Sequence, residues 1–351
     1  MSISYDYKEI VPFLLHWFDY NARILPWREK SGPYEVWISE IMLQQTRVEA
    51  VKGYFDRFIE ALPDFRSLAC VSEEKLLKLW EGLGYYNRAR NLQKAARVVV
   101  EEYDGALPAD YDRLLKLPGI GPYTAGAIAS IAYGLAVPAV DGNVLRVAKR
   151  LAGSYDDITK ESVRKELQEE LMMIMPKDRP GDFNQALMEL GATVCLPNGK
   201  PLCEKCPIMH LCRAFRQDIT AELPVKSPKK ERRIEERTIL LLEYESRLGI
   251  RRRPDQGLLA GLWELPALPG QRTKEEVLAK LKEWGMRPEA IEAVGQAKHI
   301  FTHIEWHMLG YRVQLQRLEA EGKDRELTWA DSQELKEKYA LPNAFQKFIN
   351  F

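Results

Sequence analysis

Residues 112–144 read DRLLKLPGIGPYTAGAIASIAYGLAVPAVDGNV. The stretch opens as a short amphipathic helix with Leu114, Leu115 and Leu117 apolar, and it breaks at Leu117-Pro118-Gly119-Ile120-Gly121. Pro122 then suits the first turn of a second helix, which continues through Ala125, Gly126, Ala127 and Ala129. A helix start leaves backbone N–H groups without partners, and the two glycines let a phosphate come close to them. Such a hairpin, expected over 112–133, holds a sugar–phosphate backbone without reading bases. The stretch closes on Val140-Asp141-Gly142-Asn143, a carboxylate in a loop after the Pro138 break. Taken alone, the pattern fits a plain structural turn equally well.

Working outward towards the N-terminus, residues 7–20 form an amphipathic pattern, and Arg23 to Arg28 follow as an ordered loop. Trp27 is either a core residue or a stacking one, and Arg28 is a candidate for phosphate contact. From Pro33 a helix is expected, with Tyr34, Trp37, Ile38, Ile41, Met42 and Val48 at helical spacing. Glu40 sits among these apolar residues. If it is buried there, desolvation keeps its carboxyl protonated near neutrality; the alternative is a helix-edge glutamate in water. Gln44-Gln45-Thr46 suits base edges or helix capping. Residues 74–103 read as two helices around Gly82-Leu83-Gly84-Tyr85-Tyr86, with Arg88 and Arg90 following as basic groups for nucleic acid or as parts of a plain helical turn.

Towards the C-terminus, residues 158–190 give two further helices, and no strand is expected before about residue 236. Four of the five cysteines then cluster as Cys195, Cys203, Cys206 and Cys212, spaced Cys-x7-Cys-x2-Cys-x5-Cys. Four thiolates over so short a loop (195–212) suit a 4Fe–4S cluster or a structural zinc. Cys70 reads as a small buried side chain. Residues 220–237 are charged, contain prolines and lack an apolar period, which marks a linker. Beyond it, strands are expected at 238–244, 249–251 and 311–315, with helices at 273–285 and 331–339.

A chain of 351 residues exceeds one comfortable core. The expected division is therefore a helical domain over 1–219, a linker over 220–237 and an α/β domain over 238–351. With 51 basic and 51 acidic residues the net charge is zero. That excludes a bulk polyelectrolyte binder and leaves a local grip by helix starts and a few arginines. No apolar run is long enough for a membrane span, and no signal-peptide pattern opens the chain. A cytosolic protein with reduced thiols is expected.

These motifs together resemble the helix-hairpin-helix DNA glycosylases that carry an iron–sulfur cluster, and within them the MutY type. The residues that carry the resemblance are Leu25-Pro26-Trp27-Arg28, Ser39-Glu40-Ile41-Met42-Leu43-Gln44-Gln45-Thr46, Gly82-Leu83-Gly84-Tyr85-Tyr86, Leu117-Pro118-Gly119-Ile120-Gly121, Val140-Asp141-Gly142-Asn143-Val144, Phe183-Asn184-Gln185-Ala186 and the four cysteines. The second half resembles the family's C-terminal domain, a relative of the Nudix fold. Two departures stand out. The first cysteine gap has seven residues where the family has six, and Phe301-Thr302-His303 stands where the family has Phe-Ser-His.

The resemblance implies a mainly α fold with a Nudix-like α/β domain. It implies a monomeric, nucleoid-associated glycosylase that excises adenine opposite 8-oxoguanine or guanine in duplex DNA, with a 4Fe–4S cluster. A base must leave the stack to be reached. Glu40 would then protonate the adenine as general acid, and ionised Asp141 would stabilise or attack the sugar cation. The resemblance adds Tyr123 and Asn143 as partners that orient these carboxylates, and Gln45 and Tyr85 as residues that fill the duplex. Gly119 and Gly121 belong to the DNA-gripping turn, and Phe301, Thr302 and His303 to the lesion reader.

Other readings remain. An endonuclease III-type enzyme needs a Schiff-base lysine two residues after the second hairpin glycine, where this chain has Tyr123. A thymine-mismatch glycosylase would lack the appended domain. A Nudix hydrolase needs an acidic metal-binding helix that does not follow Gly261-Leu262-Trp263-Glu264-Leu265-Pro266. A catalytically inert DNA-binding protein with a metal clip would have no use for a carboxylate on an apolar helix face.

Overall fold

A computed structural model describes residues 5–228, 231–318 and 327–349. The chain divides into two compact units. One holds the chain up to Cys70 together with Arg90–Pro228, and the other holds Val71–Ala89 together with the chain from Lys229 onward. This differs from a contiguous split near residue 219, because Val71–Ala89 packs with the C-terminal half. Within the expected linker, 229–230 lie outside the described residues, and a strand already begins at Arg233. Its first residues, charged as they are, pair in parallel with Ile304–Met308, which is why their composition read as linker.

The first unit is helical. One apolar core gathers Ile10, Leu14 and Phe18 of the Ile10–Asn21 helix, Val144, Val147 and Leu151 of the Gly142–Ala152 helix, and Phe183, Leu187 and Leu190 of the Pro180–Thr193 helix. Burying each such side chain contributes roughly 1.5–3 kcal/mol. The Gly142–Ala152 helix was not foreseen. Its signals are present: Asp141 caps it by accepting from the Val144 amide at 2.8 Å, and Gly153 ends it in the left-handed region. The helix expected from Pro33 through Val48 is two helices, Pro33–Leu43 and Val48–Ala61. They break where Gln45 takes φ 60°. A non-glycine residue held there is strained, a condition common beside functional sites.

Gly119 turns the hairpin with φ 76°, and a Cβ there would lie 2.7 Å from Asn91 Cβ. Both facts require glycine. The second hairpin helix, Pro122–Ala127, continues as a π-helix over Ile128–Ala132. Asn184, fully buried, donates to Ser130 Oγ and the Val137 carbonyl at 2.8 Å each and accepts from the Ala139 amide at 3.0 Å. It thereby fixes the loop that delivers Asp141. Cys70 is exposed at the end of the Phe65–Cys70 helix, contrary to the buried placement expected.

The second unit is built on a seven-stranded sheet. Its strands are β1 (Arg233–Tyr244), β2 (Arg247–Arg252), β3 (Trp263–Glu264), β4 (Ala267–Pro269), β5 (Met286–Ile300), β6 (Ile304–Leu318) and β7 (Leu327–Ala330). The order is β3-β2-β1-β6-β5, with β4 on β1 and β7 on β2; only β1 and β6 are parallel. One apolar cluster centred on Trp306, Phe345 and Tyr339 and another on Leu240, Leu242 and Val313 fill this unit. The fold is mainly helical in the first unit and α/β in the second, as expected. Among the described residues no helix is long and apolar enough to cross a membrane.

Candidate active site

The helix Pro33–Leu43 is buried along Tyr34 and Val36–Met42, and Glu40 is 6% exposed. Burial pushes its carboxyl up to about 7 from an ordinary 4.5, with the hydrogen bond from Tyr123 opposing and the Asp141 charge adding. The Tyr123 hydroxyl, on the second hairpin helix, donates to Glu40 Oε2. Burial and the neighbouring carboxylates hold that phenol neutral.

Asp141 faces the same cavity from its helix-cap position. Burial raises it above the usual carboxylate range, while donors at Val144 N (2.8 Å) and Asn143 Nδ2 (2.7 Å) favour its ionised form. Glu40 thus meets one phenol, and Asp141 meets a fan of amides. Burial raises both carboxyls, and amide donors offset it at Asp141 where a phenol does so at Glu40. Glu40, Tyr123, Asp141 and Asn143, drawn from three segments of the chain, line one cavity of about 610 Å³.

Residues that the sequence reading did not single out complete the wall. Glu189, with its side chain 2% exposed, bridges Arg23 Nε at 2.5 Å and Arg28 Nη2 at 2.9 Å. Burial alone would raise Glu189, but the two guanidinium groups outweigh it and hold the carboxyl below its ordinary range. Arg28 Nε also donates to Gln185 Oε1 at 2.9 Å. Arg28 therefore lines the cavity, with its guanidinium hydrogen-bonded to Gln185 and Glu189. Trp27 is buried and meets Phe55 edge-on at 5.5 Å, which selects its core role. No local signal marks Glu189, because its partners lie more than 160 residues away in sequence.

The Gln44-Gln45-Thr46 trio divides its roles. Gln44 Nε2 donates to Thr124 Oγ1 at 3.3 Å on the hairpin helix, and Gln45 is exposed. Gly121 precedes that helix with open space where a Cβ would stand.

In the second unit, Tyr85 is 51% exposed with φ 48°, and its hydroxyl lies 3.3 Å from Thr302 Oγ1. Thr302 and His303 are exposed on the turn joining β5 to β6. Phe301 supports that turn, meeting His299 at 4.6 Å and Trp306 at 4.8 Å, both edge-on. Arg88 sits under the turn that carries Tyr85. Its guanidinium donates to the Leu83 and Gly84 carbonyls at 3.0 and 3.1 Å, so it braces the turn.

Cys195, Cys203, Cys206 and Cys212 line one small cavity with Val147, Arg150, Leu151, Leu190 and Ile208. Among the described residues no three His, Cys, Asp or Glu side chains converge on a single ion position. A polynuclear cluster asks the thiolates to surround a volume, not a point. Burial raises the Cys203 and Cys212 thiols and pushes Cys206 up to about 12. Such thiols ionise when a metal centre or a cation compensates them. Arg150 supplies a cation: its guanidinium lies 3.3 Å from Cys195 Sγ. The donor set fits a cluster.

Residues 38–172 match the family model of the HhH-GPD superfamily base excision DNA repair proteins, and residues 237–351 match a NUDIX domain. The chain is 37% identical to an adenine DNA glycosylase of Mus musculus, over 93% of this chain and 76% of that protein. It is 34% identical to an adenine DNA glycosylase of Buchnera aphidicola, over 87% of this chain and 85% of that protein. Among solved structures, a thermostable thymine-DNA glycosylase superposes with a TM-score of 0.54 at 32% identity, covering 60% of this chain and 96% of that one. An endonuclease III in a non-covalent complex with DNA gives a TM-score of 0.51 at 29% identity, covering 60% of this chain and 95% of that one.

Proposed function

The chain belongs to the family of adenine DNA glycosylases, and on that premise we propose that it excises adenine mispaired with 8-oxoguanine or guanine by hydrolysing the N-glycosidic bond. The observation that carries the mechanism is the pairing of buried Glu40, raised to about 7, with amide-capped Asp141 in one cavity. Adenine is a poor leaving group until a ring nitrogen is protonated. Tyr123 donates to Glu40 Oε2, which leaves Oε1 to carry the acid proton to the flipped base. As the bond breaks, the sugar gains cationic character. Asp141, held by Val144 N and Asn143 Nδ2, stabilises that charge or attacks it, as in retaining glycosidases. The Glu40 carboxylate left behind then takes a proton from the incoming water.

Gln185 and Glu189 bring amide and carboxylate groups to the cavity wall, chemistry that suits a purine's exocyclic amine and ring nitrogens. Gln45 and Tyr85, both exposed and both held at positive φ, are the side chains we assign to filling the duplex. The helix start after Gly121 grips the backbone. Thr302 and His303 read the oxidised guanine. Cys195, Cys203, Cys206 and Cys212 would hold a 4Fe–4S cluster, whose ligation would tie their loop together. Tyr123, standing where a lyase would carry its lysine, leaves no amine for a Schiff base.

Single-turnover cleavage of duplexes carrying adenine opposite 8-oxoguanine, guanine, cytosine or thymine tests the assignment. Excision fastest opposite 8-oxoguanine, leaving an abasic strand that breaks only with alkali, is expected. Removal of thymine instead of adenine would overturn it.

A further inference from the structure

The second unit takes in Val71–Ala89, a stretch that lies in sequence within the 38–172 family match. Its Glu73–Leu79 helix, capped by Ser72, carries Lys78, whose side chain is only 15% exposed. The ammonium has three donors and no acceptor, and all three are used. Nζ donates to Glu81 Oε2 at 2.6 Å, to the Leu335 carbonyl at 2.9 Å and to the Tyr339 carbonyl at 3.0 Å. Leu335 lies in the last turn of the Ser332–Glu337 helix, where carbonyls lack helical partners and favour a cation. The other oxygen of Glu81 accepts the Leu341 amide at 2.6 Å, and Asn343 Nδ2 donates to the Gly82 carbonyl at 3.2 Å. A buried ammonium is stable only when paired and fully hydrogen-bonded, and Lys78 meets both conditions.

The residues that follow form the turn that presents Tyr85. Gly82 and Gly84 have φ 98° and 70°, Tyr85 has φ 48°, and the Tyr85 hydroxyl lies 3.3 Å from Thr302 Oγ1. One end of this turn is bound through Lys78 and Glu81 to residues 335–343, and its tip meets the β5–β6 turn.

We propose that Lys78 and Glu81 are a positioning pair: they set the Gly82–Tyr86 turn in register with Thr302, so that the Tyr85 ring and the Thr302 hydroxyl meet the base opposite adenine as one surface. The proposal rests on the reading of Thr302 and His303 as lesion readers. Neither Lys78 nor Glu81 touches the substrate; their effect passes through Tyr85.

The test uses the full chain and compares single-turnover excision of adenine opposite 8-oxoguanine with that opposite guanine, alongside thermal melting. Lys78→Met should lower that ratio about tenfold, the size of one lost charge-assisted hydrogen bond, while the rate opposite guanine holds. Lys78→Arg, which keeps a cation with several donors, should recover part of it. Should Lys78→Met fold poorly, Glu81→Gln removes the charge yet keeps an acceptor for Leu341 N–H, and should lower the ratio in the same direction. In a double-mutant cycle with Thr302→Ala the losses should not add, because both remove one register. A full ratio in both Lys78→Met and Glu81→Gln, or strict additivity with Thr302→Ala, overturns the proposal. A ratio lost in Lys78→Met but kept in Thr302→Ala/His303→Ala would sink the reader loop instead, and leave the pair acting through Tyr85.

Discussion

Arg146 Nη2 donates to Asn143 Oδ1 at 2.9 Å, and the other end of that amide, Asn143 Nδ2, donates to Asp141 Oδ2 at 2.7 Å. The guanidinium therefore decides which way the Asn143 amide faces. With the oxygen held by Arg146, the NH2 must point at the carboxylate. The same guanidinium donates through Nε to the Cys195 carbonyl at 2.9 Å and through Nη2 to the Gly191 carbonyl at 2.7 Å. Gly191 must be glycine for this approach, since a Cβ there would lie 2.7 Å from Asn143 Cβ. A continuous run of hydrogen bonds thus joins the first cysteine of the loop to Asp141.

Replacing Arg146 by Met should free the Asn143 amide to turn. The expected loss is roughly 10–100-fold in the single-turnover excision rate, the usual scale for groups that orient a catalytic ligand. Asn143→Ala in the Arg146→Met background should then cost little more, because the orienting link is already gone. Two full and independent losses would show that Arg146 acts only on the fold.

Glu40→Gln should bind duplex DNA normally and lose excision by roughly 10²–10⁴-fold, the range of general acid catalysis. In the wild type, excision at limiting enzyme should fall as pH rises through about 7, where the free acid ionises. Stability follows the same proton. Below pH 4.5 the carboxyl is protonated both folded and unfolded. Between 4.5 and about 7 the unfolded chain has released the proton and the fold retains it, so stability declines as pH rises and levels off above. The decline amounts to roughly 3–4 kcal/mol. Glu40→Gln should remove it, so denaturant midpoints of the two proteins should diverge towards pH 8. Parallel stability profiles would contradict the desolvated carboxyl.

The purified protein should be brown, with the broad visible absorbance of a thiolate-ligated iron–sulfur centre. Cys203→Ser should lower both iron content and soluble yield, because ligation contributes folding energy. Colourless protein with stoichiometric zinc would replace the cluster by a structural ion.

The legible parts of this chain were local. Pro118-Gly119-Ile120-Gly121 announced its turn, and Glu40 announced itself as one carboxylate inside an apolar run. What stayed hidden depends on distant partners. Glu189 and Arg23 look like surface charges until folding brings them together across 166 residues. β5 escaped notice for a different reason: it is mostly exposed, carries Pro288 and Gly295, and shifts register at both, so no two-residue alternation survives. The partners of Arg28 and Arg88 were equally hidden: their guanidinium groups meet Gln185 and Glu189, and the Leu83 and Gly84 carbonyls, contacts that no local pattern marks.

The loop proposed as lesion reader gives the most discriminating test. 8-Oxoguanine differs from guanine at two atoms: it adds a carbonyl oxygen, and N7 carries a proton. A reader must therefore accept a hydrogen bond from N7–H, since an acceptor is repelled by the lone pair of guanine N7. The Thr302 hydroxyl accepts, as would the serine usual at this position. Phe301, wedged edge-on between His299 and Trp306, and the Phe301 N–H donated to the Ile304 carbonyl at 2.8 Å hold the turn in shape without it. Thr302→Ala with His303→Ala should thus leave the turn folded and remove the contact. Discrimination between adenine opposite 8-oxoguanine and adenine opposite guanine should shrink by about 1–3 kcal/mol, the usual cost of one base-specific contact. The excision step at saturating enzyme should change less, because Glu40 and Asp141 are untouched. If the double variant keeps the whole preference, N7–H is read by another group, and the loop serves only to hold the Tyr85 hydroxyl.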